Sequence, residues 1–196
     1  VGEAPQAFAY KGEKTSLQIG DGNIVREFVT LHRGTPHGGG KTVIGNGNYF
    51  MAYSHVAHDC NIGNHVVLAN GATLAGHILI EDYAIIGGLS AIHQFCQIGT
   101  HAFISGLTGV TLDIPPYMLA SGSRAKLFGL NTVGLKRHHF PEGTLKVLKK
   151  AYRIIFRSGL TLEKAVKQIV EDEISRSPEV QHLILFIQHS KRGISR

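Results

Sequence analysis

The chain has 196 residues, 43% of them hydrophobic, and a formal net charge of +6 with a pI near 9.4. This length allows one large domain or two small ones, and the apolar stretches are too short to form an integral membrane segment. The basic charge favours an anionic partner. Nucleic acid is disfavoured, because no segment resembles a helix that binds in a DNA groove and aromatic residues do not alternate with Lys and Arg.

The first part of the chain predicts a solenoid that two excursions interrupt. Apolar residues at Ile19, Val25 and Leu31 are six apart, and the phase then slips by one residue. We therefore expect excursions at about residues 6–17 and 35–41. The chain opens in what resembles the middle of a repeat, without Met, so we expect that earlier coils have been removed.

The second excursion lies within Gly34-Thr-Pro-His-Gly-Gly-Gly-Lys-Thr42, which resembles a phosphate loop. The resemblance fails because Thr35 stands where the motif needs glycine, and because hexads rather than a helix follow. We expect a flexible excursion here, and contact with a ligand is left open.

From Ile44 to Val110 every sixth residue is apolar, and the residue two places earlier is mostly small or β-branched. Neither a helical period nor a period of two produces this pattern. Three hexads form one triangular coil of 18 residues, and coils stack through parallel β ladders about 4.8 Å apart. The sequence therefore predicts an all-β solenoid of hexapeptide repeats. Gly45, Gly63 and Gly99, which recur in step with the coil, and two Asn-Gly pairs are expected at its corners.

Stacking also brings chemically useful side chains together. His58, Gly76 and Gln94 are one coil apart and form a vertical column, while Asp59 stands over His77 in the next column. An imidazole, a carboxylate and a backbone N–H on one stripe suit acyl transfer, because a base removes a hydroxyl proton and a donor receives the oxyanion. His55 and His93 lie beside this stripe.

Two alternatives stay open. A zinc-dependent, carbonic-anhydrase-like hydratase needs three histidines converging on one ion. His55 and His58 are able to share a metal, but His77 and His93 fall in different columns, so no metal is expected. The other alternative is a solenoid scaffold without catalysis.

Cys60 and Cys96 lie 36 positions apart in the same inward column. Two coils separate them by roughly 10 Å, beyond the ~7 Å limit for a disulfide. We expect buried thiols and a cytoplasmic protein.

After Gly122 the period becomes helical, which divides the chain into a solenoid over 1–122 and an α-helical C-terminal domain over 123–196. Helices are predicted from Glu142 to Arg157, after the cap residue Thr161, and from Pro178 to about His189.

Specific motifs extend these expectations. His55-Val-Ala-His58-Asp-Cys60, Leu74-Ala-Gly-His77 and Ala91-Ile-His93-Gln-Phe95 resemble the UDP-N-acetylglucosamine O-acyltransferases that open lipid A synthesis in Gram-negative bacteria. The similarity runs over the whole chain. It implies a left-handed parallel β-helix, a homotrimer with active sites between solenoids, acyl carrier protein as the acyl donor, a UDP-sugar acceptor and no cofactor.

The resemblance also assigns roles. His58 matches the general base, Asp59 the acid paired with it, and Gly76 the oxyanion donor, while Gly106 matches the position that measures acyl-chain length. The substrate contacts match Gln6, His55, His77, His93, Gln94, Asn131 and Arg137.

The chain departs from the family at three positions. Ala7 and Ala9 stand where the family usually has Asp and Lys, and Val133 replaces an acidic residue of some relatives. These differences leave open a 3-amino UDP-sugar as the acceptor.

Overall fold

The computed structural model describes residues 1–196. Its strands follow the hexads closely. They are β1 Ser16–Ile19, β2 Ile24–Val25, β3 Thr30–Leu31, β4 Lys41–Ile44, β5 Tyr49–Phe50, β6 His55–Val56, β7 Asn61–Ile62, β8 Val67–Leu68, β9 Thr73–Leu74, β10 Leu79–Ile80, β11 Ile85–Ile86, β12 Ala91–Ile92, β13 Gln97–Ile98, β14 Phe103–Ile104, β15 Gly109–Val110, β16 Met118–Ser121 and β17 Lys126–Leu130.

The strands form the three walls of a triangular prism. The sheet orders are β1-β4-β7-β10-β13, β2-β5-β8-β11-β14-β16-β17 and β3-β6-β9-β12-β15. Leu79 pairs in parallel with both Asn61 and Gln97, so one coil takes 18 residues, as the sequence predicts. Across the second excursion Ile19 pairs with Ile44, which accounts for the slip of phase.

The apolar column fills the interior of the prism. From Ile44 to Val110 its members are at most 2% exposed. Burying each such side chain contributes roughly 1.5–3 kcal/mol. Cys60 and Cys96 are buried and unpaired, and burial raises the pKa of the Cys60 thiol to about 12. The prediction of buried thiols is therefore confirmed.

The two Asn-Gly pairs lie at corners as predicted, with φ of 64° at Gly47 and 66° at Gly71, but glycine is not the usual corner residue. Every sixth residue from Tyr53 to Leu107 has φ between 53° and 66°, and of these only Gly71 is glycine. Gly45, Gly63 and Gly99 do not have positive φ. Instead they lie where a Cβ would collide with the next coil. A side chain in the left-handed region costs roughly 1–2 kcal/mol.

Corner side chains recover part of that cost by stacking along the prism. The ring of Tyr83 lies 4.8 Å from those of His65 and His101, at interplanar angles of 15° and 1°. Backbone hydrogen bonds join successive corners, such as His101 N–H to Asp82 carbonyl. Stacking and hydrogen bonding therefore hold large residues in a conformation that usually favours glycine.

The excursions are shorter than expected. β1 begins at Ser16, so the first excursion ends before residue 17, and β4 begins at Lys41, inside the predicted second excursion. The pairing of these strands with each other explains both changes. The second excursion contains a 3-10 turn, Pro36–Gly38, which Thr35 caps.

Helices follow the solenoid. They are α1 Thr132–Arg137, α2 Glu142–Arg157, α3 Leu162–Val170 and α4 Pro178–His189, with a 3-10 turn at Glu173–Arg176. The three predicted helices are confirmed, including the cap at Thr161, whose hydroxyl accepts from the Lys164 N–H. The sequence did not predict α1 or the antiparallel pairing of β16 with β17, and Gly122 lies in the turn between those strands. None of the helices has the length and hydropathy needed to span a bilayer.

Candidate active site

The histidine cluster lies at the corner between β6 and β7 and continues one coil further along the prism. His77 N–H donates to the His58 carbonyl at 3.0 Å, and Phe95 N–H donates to the Gly76 carbonyl at 3.3 Å. These bonds fix the vertical order of the columns that the 18-residue period predicts.

His58 and Asp59 form a hydrogen-bonded pair. Nδ1 of His58 lies 2.8 Å from Oδ2 of Asp59, and their side chains are 10% and 0% exposed. A carboxylate only accepts, so Nδ1 carries the proton and donates it. The lone pair of the neutral ring is therefore on Nε2, the atom turned away from the carboxylate, where it is available to a substrate proton.

Thr35 and Thr42 hold Asp59 in place. The backbone N–H of Thr35 donates to Oδ1 at 2.7 Å and its hydroxyl donates to Oδ2 at 2.6 Å. The Asp59 N–H donates to the Thr42 hydroxyl at 2.8 Å. A Cβ on Gly38 would collide with the carboxylate, so the excursion packs directly on it. The loop is therefore part of the site and not a free flexible segment.

Gly76 makes room for the His58 ring. An ideal Cβ at position 76 would lie 2.5 Å from Cε1 of His58 and 2.9 Å from both ring nitrogens. The Gly76 N–H has no hydrogen-bond acceptor within the protein. A backbone donor without a partner thus lies beside the imidazole, as an oxyanion site requires.

His77 completes the cluster. Its Nε2 lies 3.7 Å from Oδ2 of Asp59, its ring centroid lies 5.1 Å from that of His58, and it stacks on Phe95 at 4.6 Å. Burial lowers the pKa of His77, and the negative charge of Asp59 partly opposes this.

The structure corrects the expectation that histidines in different columns lie too far apart to share a metal ion. His58, Asp59 and His77 offer ligand atoms that lie within 4.8 Å of one another, although His58 and His77 occupy different columns. Adjacent columns meet at this corner, which brings the two rings closer than their separate columns suggest. An ion bound through Nδ1 of His58 would replace its hydrogen bond to Asp59, and Thr35 already donates to the same carboxylate oxygen.

Of the predicted substrate contacts beside the cluster, one is partly buried and two are exposed. His55 is half-buried, and its Nδ1 lies 2.7 Å from the Thr30 hydroxyl. Burial lowers the pKa of His55. His93 and Gln94 are exposed one coil beyond Gly76.

The remaining predicted residues make no hydrogen bond to the cluster. Gln6 and Arg137 are exposed, in the first excursion and in the last turn of α1. The Asn131 amide caps α1 by accepting from Gly134 N–H and donates to the His101 carbonyl. Gly106 is exposed, and a Cβ there would lie 3.2 Å from the Gly88 carbonyl oxygen.

A groove of about 450 Å³ opens beside the cluster, lined by Asp59, His77, Phe95, Lys191 and Arg192 among others. Larger clefts of about 640 and 620 Å³ lie in the C-terminal part of the chain and contain no predicted site residue. Proximity to the buried carboxylate, rather than size, makes the smaller groove the candidate substrate channel.

The comparisons with known proteins agree with this architecture. A model for domain 2 of UDP-N-acetylglucosamine O-acyltransferases matches residues 113–195, and a model for the bacterial transferase hexapeptide matches residues 41–76. The acyl-[acyl-carrier-protein]--UDP-N-acetylglucosamine O-acyltransferases of Thermodesulfovibrio yellowstonii and Myxococcus xanthus are each 55% identical over 196 residues. The match covers 100% of this chain and 76% of each relative.

Solved structures give the same result. The UDP-N-acetylglucosamine O-acyltransferase of Moraxella catarrhalis superposes with a TM-score of 0.96 at 43% identity, covering 100% of this chain and 76% of that one. The Campylobacter jejuni enzyme gives a TM-score of 0.93 at 40% identity, with 100% and 75% covered. The solenoid is the left-handed parallel β-helix of these proteins. The chain belongs to the UDP-N-acetylglucosamine O-acyltransferase family.

Proposed function

We propose that this protein transfers a 3-hydroxyacyl chain from acyl carrier protein to the 3-hydroxyl of UDP-N-acetylglucosamine, the first step of lipid A synthesis. Relatives that share 55% of its residues carry the name of this activity. The observation that carries the proposal is the His58 ring, which is hydrogen-bonded through Nδ1 to a fully buried carboxylate and lies against a glycine with an unpaired N–H.

The chemistry follows from those three groups. Nε2 of His58 takes the proton of the sugar hydroxyl as the oxygen attacks the thioester carbon. Asp59 stabilises the imidazolium that forms, and the Gly76 N–H donates to the oxyanion of the tetrahedral intermediate. When the intermediate collapses, the carbon–sulfur bond breaks and His58 returns its proton to the departing thiolate. No step in this scheme requires a metal or an organic cofactor.

We propose a cytoplasmic homotrimer whose active sites lie between adjacent solenoids. Arg137 and Asn131 make no hydrogen bond to the His58 cluster within one chain, which fits nucleotide contacts supplied across an interface. Gly106 leaves open surface on a late coil, which fits a groove for the acyl chain. Two buried, unpaired cysteines agree with a reducing compartment.

One alternative concerns the acceptor. Ala7 and Ala9 remove an acid and a lysine that the family usually has near the sugar nucleotide, so a 3-amino UDP-sugar is the competing acceptor. Mass spectrometry of the product from defined acyl carriers and the two UDP-sugars separates an ester from an amide.

The test of the base is His58→Ala, assayed with acyl carrier protein thioesters and UDP-N-acetylglucosamine. We expect an intact assembly by size-exclusion chromatography and a loss of turnover of roughly 10²- to 10⁴-fold. His189→Ala is the matched control, because that ring bonds only to its own helix. Near-normal turnover of the His58 variant contradicts the assignment, whereas stoichiometric zinc together with a CO₂ hydration activity that chelators abolish favours the hydratase.

A further inference from the structure

The C-terminal tail is fastened to the solenoid by a buried carboxylate. Asp113 is fully buried, and its side chain accepts from the Ser190 hydroxyl at 2.6 Å and from the Gln97 N–H at 2.7 Å. Its backbone N–H donates to the Gly193 carbonyl, and its carbonyl accepts from the Ser195 N–H, both at 2.9 Å. The tail is therefore held at a fixed place on the last coils.

This arrangement brings Arg192 to His93, which lies 99 residues earlier. Nε of Arg192 donates to the Thr111 carbonyl at 2.7 Å, and one terminal nitrogen lies 2.8 Å from Nδ1 of His93. A guanidinium has no acceptor atom, so Nδ1 must accept. The Gln94 carbonyl lies 3.2 Å from the same nitrogen, but the shorter contact from a charged donor decides the tautomer.

We propose that Arg192 is a positioning residue that holds His93 as the Nε2–H tautomer and presents this N–H to an oxygen of the bound substrate. Nε2 of His93 has no hydrogen-bond partner in the chain. Arg192 also lines the groove that contains Asp59 and His77, which places its partner at the edge of the candidate substrate channel. The inference rests on the proposed acyl transfer, because it treats His93 as a substrate contact.

The kinetic test uses Arg192→Gln, with Arg196→Gln as the matched control. Arg196 is another arginine of the tail, is exposed, and does not line the groove or contact His93. We expect Arg192→Gln to lower kcat/KM roughly 10- to 100-fold through lost charge-assisted hydrogen bonding, while the control stays within about twofold. Arg192→Lys should recover only part of the loss, because one ammonium on a flexible stem does not reproduce the two-bond fork to Thr111 and His93.

A double-mutant cycle shows whether the effect passes through His93. In a His93→Ala background the change at Arg192 should cost little, because its partner is already missing. Equal costs in both backgrounds, or full activity of Arg192→Gln, overturn the proposal. If thermal melting shows that Arg192→Gln folds poorly, the same double-mutant cycle is measured with Arg192→Lys.

A second readout does not depend on activity. In ¹⁵N NMR of the imidazole nitrogens, assigned by the signals that His93→Ala removes, we expect the Nε2–H form alone in the wild type and a mixture of tautomers in Arg192→Gln. A wild-type ring protonated on Nδ1 overturns the proposal even if transfer is normal. Full activity of His58→Ala would instead refute the proposed function and leave this tautomer result to stand by itself.

Discussion

Replacing Thr35 with valine tests whether the second excursion orients the Asp59 carboxylate. Valine keeps the shape of threonine but removes the hydroxyl that donates to Oδ2 of Asp59 at 2.6 Å, while the backbone N–H bond to Oδ1 remains. The Asp59 side chain is 0% exposed, so water does not readily replace the lost donor. A hydrogen bond to a charged group contributes about 1.5–3 kcal/mol.

If that bond also orients the carboxylate toward His58, the same free energy corresponds to a fall in kcat of roughly 10- to 100-fold. The assays are turnover with acyl carrier protein thioester and UDP-N-acetylglucosamine, and unfolding in denaturant. We expect both to fall, since the carboxylate stabilises the native state as well as the imidazolium.

Thr15→Val is the matched control for this experiment. The Thr15 hydroxyl lies in the first excursion, is buried and has no hydrogen-bond partner, so its removal should leave turnover unchanged and stability equal or higher. Turnover and stability of Thr35→Val within error of the wild type would refute the role given to the loop. A control as costly as Thr35→Val would do the same.

Two further predictions concern residues at the corners of the prism. Gly76→Ala should reduce kcat by at least about tenfold while the assembly stays intact, because its Cβ would lie 2.5 Å from Cε1 of His58; unchanged kcat would contradict this. Burial, helped by the nearby His138, lowers the pKa of His101 from 6.5 to about 4. The contribution of the neutral His101 ring to the stability of the folded protein is therefore complete above pH 6.5 and is lost as the pH falls toward 4. The loss is about 3 kcal/mol in the free energy of unfolding. His101→Phe should remove this pH-dependent loss of stability, because Phe95 shows that phenylalanine is tolerated at such a corner. Equal pH dependence of stability in the two proteins would show the reasoning to be wrong.

The repeat could be predicted because one rule governs every coil. Each hexad places one large apolar residue inward, and every member of this inward column from Ile44 to Val110 is buried as a result. The same arithmetic placed His58 over Gly76 and Asp59 over His77, because neighbours in a ladder are one coil apart in sequence. Local helical patterns likewise predicted α2, α3 and α4.

The conformation of the corners and the first helix could not be predicted. The left-handed corners carry Tyr, His, Leu and Phe, residues whose intrinsic preference argues against positive φ. Their conformation is stabilised by rings and carbonyl groups of the coils above and below, which a single hexad does not reveal. α1 was missed because its six residues are too few to show a helical period, and its start depends on the Asn131 cap.

The positioning contacts escaped prediction for a related reason. Thr35 lies 24 residues before Asp59, and Arg192 lies 99 residues after His93, and neither separation is a multiple of the coil. In the proposed mechanism the repeats therefore supply the reacting groups, whereas the irregular segments supply the donors that fix their orientation. Substitution in a repeat column removes a group from the reaction, but substitution in an excursion or in the tail changes how well that group is aligned. The excursion and the tail are thus the parts of this chain where rate and substrate preference can change while the solenoid itself is preserved.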